Sequence, residues 1–312
     1  MKIDDKLKIQ EFENDRSFFT RNGLDIIKFV RKKRKEIPDK KLCFYDYSGE
    51  YYLRPECFSI GKDRVYKKKQ FAGEIPAEVI LGYAYNLVGI PSPIAYPYFM
   101  SIYSVRNNQH LIPDGVISKD VKQIYPTAIQ RNDRECHTIY GLYTSPVCND
   151  ITKEGKLCRV KETIASIAFN NKDAGYLNSF WIKDDNSGEY NSVVSIDHGY
   201  SGRDSMYGGD KETVIKGLYH IGEHGYNGMY YPEEDRATVL YFLKKLLAGN
   251  SIDGVRFADN EIKELNELVD KISKLDFRKI ASNYTDRYKY DISSAYLQSL
   301  EWSREDLCQE LG

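Results

Sequence analysis

Residues 179–197, SFWIKDDNSGEYNSVVSID, read as two strand-like runs about the turn Asn186-Ser187-Gly188, and on both sides of them the apolar period is helical. Upstream, Arg159 to Asn170 carries Val160, Ile164, Ile167 and Ala168 on one face. Downstream, residues 211–221, 234–248 and 259–275 keep that period, the last with a stripe of Ile262, Leu265, Leu268, Val269, Ile272 and Leu275. The C-terminal part therefore reads as helical with one embedded hairpin.

The first hundred residues have the opposite character. Leu42 to Lys69 is rich in Tyr, Phe and Val and broken at Ser48-Gly49 and Gly61-Lys62, which predicts an antiparallel meander. Pro76 then opens a helix with Val79, Ile80, Tyr83, Ala84, Leu87 and Val88 at helical spacing, and Gly89 closes it. GIPSPIAYPYFMSIYSV follows as loop and strand, and the middle around YPTAIQRNDRECH is loop-rich. Residues 1–40 are polar with one helix expected at Leu24 to Lys35, stopped by Pro38. The expected class is α+β, with an extension at 1–40, a sheet-rich part at 41–104 and a helical part at 105–312 that holds the hairpin.

Composition limits the partners. The formal charge is −1 over 312 residues, so nothing global points to nucleic acid or an anionic membrane, and Arg31 to Lys35 reads as a solvated basic helix face. No window approaches the ~18 apolar residues of a membrane span. The opening MKIDDKLKIQEFEND is too acidic for a signal peptide, so a cytoplasmic protein is expected. Cys43, Cys57, Cys136, Cys148, Cys158 and Cys308 form no Cys-x-x-Cys, and reduced thiols are the expectation. Cys136, His137, Cys148 and Cys158 match no zinc-finger spacing.

The chemistry-bearing pattern surrounds the hairpin. FNNKDAGYLN, residues 169–178, places Asp173 and Asn178 after the helix, and SIDHG delivers Asp197 after the hairpin. Phosphoryl transfer needs a carboxylate to orient the attacking hydroxyl and oxygen ligands to hold Mg²⁺ between phosphates. Asp173 suits the first task, Asn178 and Asp197 the second. It also needs a strand lysine on the phosphates and a helix acid to hold that lysine. RVYKKK supplies Lys67, with Lys69 on the same strand face as second choice, and Glu78 lies early in the next helix. Val65 shares the Lys67 face and would cover the adenine. Each piece alone has a plain reading: turn residues, a charged edge strand, a first-turn acid. Their order is what joins them.

NNKDAGYLN with SIDHG resembles the HipA-like kinases, including the CtkA type, whose catalytic loop runs approximately Gly-Asn-x-Asp-Arg-His-x-x-Asn with an Asp-x-Gly after a hairpin. IPAEVILGYAYNLVGIPSP is similar to their helix bearing the lysine-pairing acid. The resemblance covers roughly residues 60–100 and 160–200. It implies a two-lobed protein-kinase-like fold and an ATP- and Mg²⁺-dependent Ser/Thr kinase. In that layout Asn171 lies two before the catalytic acid Asp173, Asn178 and Asp197 are metal ligands, and Lys67 and Glu78 form the nucleotide-positioning pair. The protein would then take ATP and a hydroxyl-bearing acceptor, a protein by default. Ala174-Gly175 replaces the family's Arg-His, and no glycine-rich phosphate loop precedes Lys67, SGE at 48–50 being the nearest candidate.

Those departures keep a nucleotide-binding pseudokinase open on the same fold, and the same residues are also compatible with an adenylyl transferase. A third comes from HIGEH at 220–224, a literal His-x-x-Glu-His zinc-peptidase motif. It requires a continuous helix, which Gly222 and Gly225 oppose. His198, after Asp197, is expected mainly to pack.

Overall fold

The computed structural model describes residues 44–45, 51–52, 57–60, 64–68, 74–98, 115–131, 133–171, 178–199, 201, 210–217, 236–288 and 292–312. The fold is mixed α and β: small antiparallel sheets lie beside a larger helical assembly.

A two-stranded ladder pairs β1 (Phe44–Tyr45) with β2 (Tyr51–Tyr52). The main sheet has four strands in the order β3 (Cys57–Ile60), β4 (Arg64–Lys68), β6 (Gly115–Lys119), β5 (Tyr96–Tyr98), all antiparallel. The meander expected over 42–69 is therefore two separate antiparallel pairs, β1–β2 on its own and β3–β4 within a larger sheet that continues past residue 104 to Lys119. Against it lies α1 (Glu74–Val88), buried along most of its length. The helix begins two residues before Pro76, which a first turn tolerates because its N–H groups have no intrahelical acceptor. Ile75 and Val79 of α1 pack with Ala95, Val116 of β6 and Tyr284.

The helical part is organised on α4 (Lys153–Ala168). Thr152 caps it, its hydroxyl accepting from Gly155 N at 3.0 Å. Val160, Ile164, Ile167 and Phe169 enter one continuous core with Tyr85 of α1, Trp181, Leu243 of α6 (Arg236–Leu247), Leu265 of α7 (Asp259–Ser273) and Leu300 of α9 (Ser294–Leu311). Two short helices, α2 (Val121–Ile124) and α3 (Ile139–Thr144), occupy the loop-rich middle; α5 (Lys211–Gly217) and α8 (Phe277–Tyr288) complete the set. The expected hairpin is present as β7 (Ser179–Lys183) and β8 (Tyr190–Ser195), and β8 lies along α4. Among the described residues no helix is long and apolar enough to cross a membrane.

The thiol expectation is corrected at one pair. Cys136 and Cys148 form a disulfide with Cα atoms 5.8 Å apart. Cys136 lies within one short 3₁₀ turn, Arg134–His137, and Cys148 ends another, Pro146–Cys148, on either side of α3 in the chain, so a spacing of 12 residues closes without a Cys-x-x-Cys. This also removes both from the suggested zinc set, and Cys158 is a separate thiol on α4. Among the described residues no group of three His, Cys, Asp or Glu is gathered as a metal site.

Candidate active site

Helix α4 stops in a way that fixes the first site residue. Asn170 has φ 50°, its N–H donates to Ile167 O at 3.3 Å, and Asn171 N–H donates to Ser166 O at 2.9 Å. This is the 5→2 and 6→1 bond pair of a Schellman stop with asparagine in the left-handed position, a residue type that tolerates it. Asn171 is thereby turned into the interior, 1% exposed.

There it meets two segments remote in sequence. Asn171 Nδ2 donates to Tyr85 Oη and to His198 Nδ1, each at 3.1 Å. Tyr85 Oη in turn lies 2.7 Å from Ser166 Oγ, to which it donates once it accepts from Asn171. With Nδ1 accepting, the His198 Nε2–H donates to Ser92 Oγ at 2.9 Å. The His198 ring stacks on Tyr85 with centroids 4.5 Å apart, and its backbone N–H donates to Glu78 Oε2 at 3.0 Å. Glu78, Tyr85, Ser92, Asn171 and His198 are all buried. Burial pushes the Tyr85 phenol well above its ordinary range, so it stays a neutral donor.

The helix supplies this geometry by period. Glu78 and Tyr85 are seven residues apart on α1, two turns along one face. Gly82 lies between them, where a Cβ would come within 2.9 Å of Pro93 O, so its absence lets the loop carrying Ser92 lie against the helix.

Asn178 and Asp197 stand at the open end of the hairpin. Ser179 pairs with Ser195, and Ile196 N–H donates to Asn178 O at 2.8 Å, so Asp197 follows one residue beyond Asn178's partner. Ser195 N–H donates to Pro91 O at 3.0 Å, tying this end to the Ser92 loop. Asp197 is half-buried with φ 56°, a left-handed conformation that Asp, like Asn, adopts more readily than most residues. A carboxylate and an amide oxygen are ligand types that Mg²⁺, a hard cation, takes alongside phosphate and water.

Val65 and Lys67 both lie on β4, opposite Ser118 and Val116 of β6. Asp173, Lys69, the SGE segment, the Leu24–Lys35 helix and the HIGEH motif lie outside the described residues. The structure thus brings together Glu78, Asn171 and the Asp197-His198 segment, with Asn178 beside Asp197.

No protein-family model matches the chain, and no curated protein matches it. Among solved structures, the crystal structure of a Helicobacter pylori proinflammatory kinase, CtkA, matches 86% of this chain and 92% of that chain, at 12% identity and a TM-score of 0.46. A superposition at that score does not establish a common fold.

Tyr85, Ser92 and His198 were not visible as site residues from sequence. Tyr85 had a usable signal, its seven-residue spacing from Glu78; Ser92 and the backbone N–H of His198 had none. His198 does pack, as expected, but it also bonds through both ring nitrogens.

Proposed function

We propose that the chain is an ATP- and Mg²⁺-dependent phosphotransferase of two-lobed, protein-kinase-like architecture, acting on a protein serine or threonine hydroxyl. The observation that carries this reading is the junction at His198. The helix acid Glu78, the residue two before Asp173, and the residue after Asp197 are bonded there within one buried network. Three motifs that phosphoryl transfer requires in a fixed spatial relation are thereby in contact.

In this reading Lys67, held by Glu78, engages the phosphates of ATP and Val65 covers the adenine. Asp173 orients the acceptor hydroxyl. Its oxygen forms a bond to the γ-phosphorus as the bond to the ADP oxygen breaks, and the hydroxyl proton passes to the Asp173 carboxylate. Asn178 and Asp197 would hold Mg²⁺, whose charge would offset that of the phosphate oxygens.

The test is transfer from γ-labelled ATP to the chain itself and to casein. Mg²⁺-dependent label that disappears in Asp197→Ala supports the proposal; label unchanged in that variant overturns it. Label from α-labelled ATP instead identifies adenylyl transfer, and an Mg-ATP thermal shift without any transfer identifies a pseudokinase.

A further inference from the structure

We infer that Arg159 and Glu162 are positioning residues for Asn178, acting through the hydroxyl of Ser179; this rests on the phosphotransfer reading of the site. Arg159 Nη1 donates to Glu162 Oε2 at 2.5 Å and to Ser179 Oγ at 3.2 Å. Ser179 Oγ donates to Glu162 Oε1 at 2.7 Å, which closes the three groups into a ring. Arg159 is 1% exposed, and Glu162 and Ser179 are 0% exposed.

Stability does not account for this arrangement. Taking a charged pair out of water costs several kcal/mol per ion, and apolar residues of similar volume often replace such pairs with no loss. The charges sit in the interior of a helix that already carries Val160, Ile164 and Ile167 into the core. What the pair adds is direction: two charge-assisted bonds aimed at one hydroxyl, on the first residue of β7.

That residue adjoins Asn178, whose carbonyl accepts from Ile196, the neighbour of Asp197. A shift of Ser179 therefore moves the end of the ladder that holds both metal ligands. The same helix fixes Asn171 at its C-terminus through the Schellman stop. Glu162 lies six residues before Ala168, about 9 Å along the axis at the α-helical rise. Asn171 and Asn178 are thus both tied to one helix, the first through its C-terminal stop and the second through Ser179. Asn171 and the proposed metal ligand Asn178 are set relative to each other by α4.

The test compares Ser179→Ala, Ser179→Thr and the triple variant Arg159→Met/Glu162→Leu/Ser179→Ala, which leaves no buried charge unpaired. Mn²⁺ binding to the protein–ADP complex is titrated by electron paramagnetic resonance, alongside the Mg²⁺ dependence of transfer and thermal denaturation. Expected in Ser179→Ala and in the triple variant is a Mn²⁺ dissociation constant raised about tenfold, the usual consequence of removing a ligand's supporting shell. The KM for ATP at saturating Mg²⁺ stays near wild type, and Ser179→Thr, which keeps the hydroxyl, recovers most of the affinity. Should Ser179→Ala fail to fold, the triple variant carries the same measurement. Wild-type transfer with Mn²⁺ affinity unchanged in the variants overturns this inference alone. A wild-type chain that binds no Mn²⁺-ADP overturns the phosphotransfer reading as well.

Discussion

Replacing Glu78 separates the bond its carboxylate makes from the ion pair proposed for it. Its Oε2 accepts the His198 backbone N–H at 3.0 Å in a site 4% exposed, so Glu78→Ala leaves a buried donor without this acceptor. A hydrogen bond to a charged group is worth about 1.5–3 kcal/mol, and the lost methylene packing adds about 1 kcal/mol. Unfolding entropy scales to about 0.65 kcal/mol per degree for 312 residues, so a loss of about 3 kcal/mol lowers the melting temperature by about 4–5 °C. Glu78→Gln keeps a carbonyl oxygen for the same N–H and costs under about 1 kcal/mol, or about 1 °C. Helix propensity works against this ordering, since alanine is the better helix former, and so cannot produce it. On the proposed phosphotransfer reading, in which Glu78 holds Lys67 by charge, transfer from γ-labelled ATP should fall at least about tenfold in both variants. Differential scanning calorimetry and the labelling assay read the two effects separately. Equal melting temperatures for the alanine and glutamine variants would refute the role of the His198 bond, and full activity in Glu78→Gln would refute the ion pair.

Tyr85→Phe keeps the ring stacked on His198 but removes the oxygen that links Ser166 and Asn171, so urea denaturation should show a loss of about 1–2 kcal/mol together with reduced kcat. Reducing Cys136–Cys148 reopens a loop closed over 12 residues, for which chain entropy gives about 3 kcal/mol; calorimetry with and without reductant checks it, and Cys136→Ser should be insensitive to reductant. His137 is buried beside Arg159 and bonded through Nε2 to Arg131 O at 3.0 Å; burial first, then the Arg159 charge, pulls its pKa down to about 3. The unfolded chain therefore binds a proton that the folded chain refuses, and stability falls as pH drops below about 6.5, by at most about 1.4 kcal/mol per unit, until about pH 3. Denaturation curves at pH 7 and pH 5 should differ by about 2 kcal/mol more in the wild type than in His137→Gln.

Legibility followed period and failed where partners were backbone or distant. The hairpin was readable because its turn residues and alternating runs are local. Helix α4 was readable only from Arg159, yet it starts at Lys153, because Gly155 in its first turn looks like a breaker. That glycine is required by tertiary packing: a Cβ there would collide with the carbonyl of Tyr190 on β8. Strand β6 was missed because GVISK is short and follows a polar stretch. Helix α9 was missed because its buried face includes Ser299 and Ser303 among Tyr296, Leu297, Leu300 and Leu307, which blurs the apolar stripe. The disulfide had no spacing signal at all, since it depends on how two 3₁₀ turns meet across α3.

The candidate site residues are readable in the sequence only as types in an order, and the fold gives part of that order, Glu78, Asn171 and Asp197-His198, a physical contact. Glu78 alone would serve a helix terminus, and Asp197-His198 alone would serve a turn. On α1, a one-residue slip rotates the face by about 100°. Such a slip would carry both Glu78 and Tyr85 away from His198, and Gly82 away from the Ser92 loop. The three contacts therefore define a single helix register, and any one of them constrains the other two. On the opposite side, Asn171 reaches His198 only because α4 ends in a left-handed residue, and Asp197 emerges only because the hairpin register places Ile196 on Asn178. Two helix registers and one strand register must agree for His198 to hold all of its bonds. Motifs that are weak as strings thus become a strong joint constraint, because one buried imidazole and its own backbone amide bind them together.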